Sequence, residues 1–302
     1  DPARTPGGSS SGSAAAVAAG MVPLTLGTQT NGSVIRPASY CGVWGFKPSK
    51  GLIPRHGILQ LSSTLDTVGV FARSLDDIAL VTEQLVGHDD RDADTHPRAR
   101  PPLREAAVSE PPLPPRLGFV QTAAWPRADA STRDAFAELV AELGADCETI
   151  ELPPSLDEAA DWLRTIMEAE MALNLDAEWQ RGRSQLSQPL AEQLERGRAI
   201  TALQYQQARA RIPRIVAGFE ETFARVDALV TPATIGTAPP LAGTGDPAFC
   251  SLWSLAGMPA LSMPLMHGAD GLPLGIQLVG QREGDAKLLR TAHWLQRRLH
   301  VS

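Results

Sequence analysis

Between Gly7 and Lys47 the chain reads Gly-Gly-Ser-Ser-Ser-Gly-Ser-Ala-Ala-Ala-Val-Ala-Ala-Gly, later Leu-Gly-Thr-Gln-Thr-Asn-Gly-Ser-Val-Ile-Arg-Pro-Ala, and then Cys-Gly-Val-Trp-Gly-Phe-Lys-Pro. Two turns of small residues are thus separated by an Ala-rich segment. Glycines let backbone approach backbone where a side chain would block it. Residues 13–20 have high helix propensity and end on a glycine, which puts the turn at 7–12 at a helix N-terminus. Unpaired N–H groups there favour developing negative charge. A flexible linker shares the composition but lacks this flanking periodicity. Hydroxyls beside free amides are the groups that acyl transfer uses.

The stretch resembles the signature of the amidase signature family, serine hydrolases that cleave amide bonds. The resemblance is dense over residues 7–75 and resumes at Asp227-Ala-Leu-Val-Thr-Pro232, Ala238-Pro239, Gly257-Met-Pro-Ala260 and Gly271-Leu-Pro-Leu-Gly-Ile-Gln-Leu-Val-Gly280. It implies that Ser33, closing the second turn, is the nucleophile. Ser9 would relay the proton and return it to the departing amine, with the Gly8–Ser9 bond cis. The backbone N–H groups of Thr30, Asn31, Gly32 and Ser33 would form the oxyanion hole, where a single donor is typically worth roughly 10²–10³ in rate. Ser10, Gln29 and Arg36 would support them. Ser11 and Asn31 stand where the family usually has glycine, and Asn is a residue that tolerates left-handed angles. Gln29 replaces a frequent Asp, so a Gln29–Arg36 hydrogen bond without an ion pair is expected. The implied fold is α/β, with a central mixed β-sheet covered by helices on both faces and residues 1–302 in a single domain.

The family's base is a lysine upstream of the first turn, and the three lysines here, Lys47, Lys50 and Lys287, do not match it. The expectation is that an upstream segment carries the base and the first strands of the core. Residues 1–302 alone would then turn over slowly, since general base catalysis is worth roughly 10²–10⁴. The implied activity is hydrolysis of a small-molecule carboxylic amide through an acyl-enzyme, releasing ammonia or an amine, with no cofactor. A glutamine-hydrolysing component of an amidotransferase is the alternative, disfavoured by Gln29 and Asn31. A noncatalytic binding module is a third reading, motivated by the lysine and opposed by the intact serines.

A formal charge of −7, from 34 acidic and 27 basic residues, leaves no broad positive footprint for nucleic acid or an anionic membrane. No apolar run approaches the ~20 residues of a membrane span, and no secretory signal is visible. A cytoplasmic enzyme with a small uncharged substrate is expected, and a homodimer is compatible with this. Cys41, Cys147 and Cys250 are far apart, which opposes disulfides and zinc; Cys41 reads as packing sooner than as a second nucleophile. The six histidines show no metal-ligand spacing. Asp90, Asp92 and Asp94 lack the Gly and Glu of a calcium loop, so a solvated turn is expected.

Ser74-Leu-Asp-Asp77 has capping-box spacing and opens a helix to about Val86. The preceding Asp66-Thr-Val-Gly-Val-Phe-Ala-Arg-Ser resembles a family turn near the substrate cleft. Residues 97–115 are proline-rich and read as an extended surface connection. Strand, helix and strand follow at 116–120, 131–144 and 148–152, a crossover with parallel pairing. Two long helical stretches, 156–181 and 189–225, carry Trp162, Met167, Met171 and Trp179, which could line an acyl pocket but read first as core. Residues 228–230 and 274–279 read as buried strands, and Asp285 opens a final helix to Leu299.

Overall fold

The computed structural model describes residues 1–299. Its strands are β1 (Leu24–Gln29), β2 (Trp44–Lys47), β3 (Thr67–Ala72), β4 (Leu117–Val120), β5 (Cys147–Ile150), β6 (Ala228–Pro232), β7 (Ala260–His267) and β8 (Pro273–Val279). They form one sheet in the order β1-β3-β2-β7-β8-β6-β4-β5. Every pairing from β1 to β6 is antiparallel, whereas β6, β4 and β5 run parallel. The parallel end is where the chain crosses over through helix α5 (Ala130–Leu143), as the strand–helix–strand pattern predicts.

Period-two alternation splits the sheet into two faces. On one, Trp44, Phe46, Val70, Phe119, Val230, Leu261, Ile276 and Leu278 pack with α3 (Leu75–Leu85), α4 (Leu103–Val108), α5 and α12 (Asp285–Leu299). On the other lie α1 (Ser11–Ala18), α2 (Ile35–Cys41), α6 (Ala159–Asn174), α9 (Ala202–Arg209), α10 (Arg211–Phe223) and α11 (Ser251–Leu255). Helices α7 (Asp176–Gly182) and α8 (Gln188–Ala199) pack outside α6.

Several local expectations need correction. The stretch 97–115 is not wholly extended: α4 forms inside it, and Leu103, Ala106 and Ala107 are buried, because a short Leu-x-x-Ala-Ala stripe finds α3 and α12 as partners. The segment after Asp66 is the fully buried strand β3, not a turn. Each long helical stretch breaks. The first breaks at Leu175; the second breaks after Ala199, where Thr201 and Gln204 form a reciprocal capping box, and again before Pro213, whose missing N–H suits a first turn. The aromatic and methionine stripe is packing: Met171 is buried beside Leu175 and Leu194, and Trp179 stacks under Arg183 and Arg198 at 4.6 and 5.0 Å. Ser74 caps α3 by accepting from Asp77 N at 3.1 Å, while its hydroxyl donates to the Asp77 carboxylate. No described helix is long and apolar enough to cross a membrane.

Candidate active site

The first Gly/Ser turn runs into α1. Its Gly8–Ser9 peptide bond is cis. Gly7 has φ +79°, and a Cβ there would lie 3.0 Å from both Pro37 and Tyr40, so glycine is required twice over. Ser10 faces β1, where its Oγ accepts from Thr28 N at 3.3 Å and donates to Thr28 O at 3.2 Å. Ser13 donates to Leu26 O at 2.7 Å. Ser10, just before the Ala-rich helix, and Ser13, within it, thereby satisfy backbone groups of the sheet's edge strand and tie the first turn to the strand that leads to the second.

The second turn, 30–33, follows β1 and precedes α2. Gln29 is fully buried, and its Oε1 accepts from Val34 N at 2.8 Å and Ile35 N at 3.0 Å while Nε2 donates to Ser254 Oγ at 2.9 Å. Ser254 Oγ in turn donates to Asn31 O, Ser251 Oγ donates to Asn31 Oδ1 at 2.9 Å, and Thr30 Oγ1 donates to Asp66 Oδ1 at 2.6 Å. Among the described residues, the backbone N–H groups of Asn31, Gly32 and Ser33 meet no acceptor. Asn31 does not use a left-handed angle, since Glu283 is the only described non-glycine residue with positive φ; its value here is the side-chain oxygen anchored by Ser251.

Arg36 joins the two turns. Its Nη2 donates to Gly8 O, the carbonyl of the cis bond, at 2.6 Å, and its Nη1 donates to Gly245 O at 2.9 Å. It is 6% exposed and has no carboxylate partner among the described residues, and burial draws its pKa down. The expected Gln29–Arg36 hydrogen bond does not form, because Gln29 is engaged by the α2 amides and Arg36 by carbonyls. The strap 241–247 crosses here as well: Thr244 packs against Gly8, and Pro247 against Gly32. Helix α2 is seated by close approach to the sheet, as a Cβ on Gly45 would come 2.3 Å from the Ala38 Cβ and one on Gly69 would come 2.7 Å from Val34.

The site residues read from the sequence lie in the two turns and at the elements that adjoin them: Ser9 and Ser10 just before α1, Thr30 to Ser33 between β1 and α2, Gln29 at the end of β1 and Arg36 in α2. Ser9 is exposed and Ser33 half-buried, and no hydrogen bond joins them to each other. The lysines lie elsewhere. Lys47 is 1% exposed and donates to the carbonyls of Met258 and Pro48, and burial pushes it down to about 7. Lys50 donates to Ser63 O at 2.7 Å and pairs with Asp94, and Lys287 pairs with Asp227. Cys41 is pushed up to about 11 and Cys250 to about 12, chiefly by burial, which leaves both thiols protonated at neutral pH.

A cavity of about 380 Å³ opens beside β1, lined in part by Thr28, Arg55, Asp66, Thr67, Asp92 and Asp94. The acidic run is only in part the solvated turn expected: Asp90 is exposed, but Asp92 and Asp94 are engaged. Asp92 is buried and takes two hydrogen bonds from the Arg55 guanidinium, at 2.7 and 3.0 Å, which hold its carboxyl well below the usual range. Asp94 pairs with both Arg55 and Lys50. No cluster of described residues could hold a metal ion. Asp66, Ser251, Ser254 and the strap 241–247 went unassigned in the sequence. Asp66 sits inside a quoted stretch, but the other contacts span more than 200 residues, and no local pattern announces them.

A mixed α/β sheet that delivers two serine-bearing turns to one buried arginine, with open amides on the second, defines a scaffold of hydrolase type. The chain belongs to the amidase family, whose model, Amidase, matches residues 1–289. It is 34% identical over 333 residues to the A subunit of the glutamyl-tRNA(Gln) amidotransferase of Picosynechococcus sp., covering 97% of this chain and 68% of the relative. The protein of the same name from Symbiobacterium thermophilum is 36% identical over 327 residues, covering 96% and 66%. The solved 6-aminohexanoate cyclic dimer hydrolase superposes with a TM-score of 0.84 at 27% identity, covering 99% of this chain and 69% of that one. The chain spans about two thirds of the length of these relatives.

Proposed function

We propose that Ser33 attacks the carbonyl of a small-molecule carboxylic amide and forms an acyl-enzyme, with ammonia or an amine leaving. The arrangement around the second turn carries this reading. Gln29 occupies the amides of Val34 and Ile35, so the donors left for a developing oxyanion are those of the preceding residues, taken here as Thr30, Asn31, Gly32 and Ser33. Ser9, on the turn clamped by Arg36, carries the proton between the nucleophile and the leaving nitrogen. Water then attacks the ester carbonyl and releases the acid. None of Lys47, Lys50 and Lys287 contacts either serine, so residues 1–302 by themselves turn over slowly.

The test is the intact mass of the gene product from its native cells, before and after a fluorophosphonate that traps activated serines. One label on Ser33, absent from Ser33→Ala, supports the assignment; amide cleavage that persists in Ser33→Ala at unchanged folding sinks it. A second reading, a glutamine-hydrolysing component of an amidotransferase, is favoured by the relatives' names. Ammonia release specific for glutamine and stimulated by a partner protein would put it first.

A further inference from the structure

The loop 61–66 has no regular secondary structure, yet it is held from two sides by buried carboxylates. At its end, Asp66 accepts from Leu61 N at 2.8 Å and Ser62 N at 2.9 Å with one oxygen, and from Thr30 Oγ1 with the other. From α6, Glu170 reaches the middle of the same loop. It is 3% exposed and accepts from Ser62 Oγ, from Thr64 N at 3.0 Å and Thr64 Oγ1 at 2.5 Å, and from Tyr205 OH at 2.6 Å. One turn later, Asn174 Nδ2 donates to Leu61 O at 3.0 Å.

Glu170 has no cation partner among the described residues. Its neighbour Glu168, on another side of α6, pairs in the ordinary way with Arg196. Burial alone raises the Glu170 carboxyl, but donors from Ser62, Thr64 and Tyr205 outweigh it and hold the group below its usual range. A buried carboxylate is costly unless its lone pairs are satisfied, and here the donors that satisfy it come from the loop and from α9. Apolar contacts alone could hold α6 to its neighbours. What the carboxylate adds is a fixed position for a segment that touches the second turn.

We propose that Glu170 is a positioning residue for the nucleophile turn: it fixes loop 61–66, the loop fixes Asp66, and the Asp66–Thr30 hydrogen bond fixes Thr30 and the amides that follow. The functional sense of this relay rests on the assignment of Ser33. The relay itself is a structural coupling that can be measured without any activity.

The experiment compares Glu170→Ala, Glu170→Gln and Thr30→Val by amide hydrogen exchange in the full protein, read at Ser62 and Thr64 in the loop and at Val34 and Ile35 behind the turn. In Glu170→Ala both regions should exchange faster, the turn by about tenfold as its local opening becomes easier. Glu170→Gln should restore most of the protection. Its carbonyl can take Ser62 Oγ and Thr64 N, and its NH₂ can donate to the hydroxyl oxygens of Thr64 and Tyr205. In a Thr30→Val background, adding Glu170→Ala should leave Val34 and Ile35 unchanged, because the link is already cut. Faster exchange confined to the loop, or additive effects in the double variant, would overturn the relay. The rate of fluorophosphonate labelling at Ser33 is read alongside and should fall with turn protection. Failure to label in a parent protein that cleaves amides counts against Ser33, whereas coupled exchange without labelling leaves the relay standing.

Discussion

Along β8, Leu274, Ile276 and Leu278 enter the cluster of α3, α4, α5 and α12, while Gly275, Gln277 and Val279 face the helices of the site. β2 divides in the same way, with Trp44 and Phe46 against Gly45 and Lys47, and so does β3, with Val70 and Ala72 against Gly69 and Phe71. The first face is filled by interchangeable apolar bulk. The second face has an apolar cluster of its own, around Leu163, Ile166, Phe219, Leu229 and Trp253, but beside the two turns it also carries glycines that admit α2 and buried polar groups that tie one backbone segment to another: Gln29, Arg36, Ser254 and Gln277, whose Nε2 donates to Pro232 O and Phe249 O. The same strands serve both faces, so the pleat keeps the polar ties of the turns apart from the apolar packing of α3, α4, α5 and α12. Bulk can be lost from one side without moving the turns, whereas a small error on the other side moves them directly.

The largest effect that separates the faces is expected from Leu278→Ala. Removing a fully buried leucine from the apolar face should cost about 2–5 kcal/mol. The midpoint of urea unfolding should drop accordingly, while the amide-cleavage rate per folded molecule stays the same. A parallel loss of rate would show that the two faces are not independent.

Arg36→Met reverses the pattern. It leaves Gly8 O and Gly245 O without their buried donor and frees the first turn from the second. A displacement of about 1 Å can cost about 10² in rate, so a fall of that order in kcat is expected, with KM changing less. Gly45→Ala is the milder steric version. The added Cβ collides with Ala38, and overpacking of this kind typically costs about 1–3 kcal/mol. Because α2 begins two residues after Ser33, labelling of Ser33 should slow along with the drop in Tm. Unchanged labelling would mean that the turn is held by Gln29 and Ser254 without help from the helix's seating.

The same contrast explains what was legible in the sequence. Burial leaves apolar runs and helical stripes, which is why strands β6 and β8, buried on both faces, the crossover at β4–α5–β5 and the helices capped by Ser74 and opened by Asp285 all read directly. The two Gly/Ser turns read as well, because glycine and serine are demanded at particular places in a continuous stretch. In the site, what did not read is polar and long-range. Asp92 looks like one of three solvated acids until Arg55 is folded over it, and Gln29 looks like a partner for Arg36 until both find backbone groups. Helix α4 was hidden by prolines on either side, since a six-residue helix leaves too short a stripe to outweigh them.

Lys47 gives the smallest and most specific test, since it is an amine on the site face with no carboxylate within bonding distance. Unfolded, it keeps its proton up to its ordinary value of 10.5; folded, burial brings that down to about 7. Between those limits the unfolded chain binds more protons than the folded one, so this group makes stability rise with pH across the window, by at most about 1.4 kcal/mol per pH unit. Below pH 7 both states hold the proton, and its unfavourable contribution is constant. Lys47→Met, compared with the parent by urea titrations at pH 7, 8 and 9, should therefore flatten the rise while leaving the apolar face untouched. If the slopes coincide, Lys47 is charged in the folded protein throughout this range, and the nearby buried Asp285 together with the carbonyls of Met258 and Pro48 must stabilise an ammonium well enough to offset its burial.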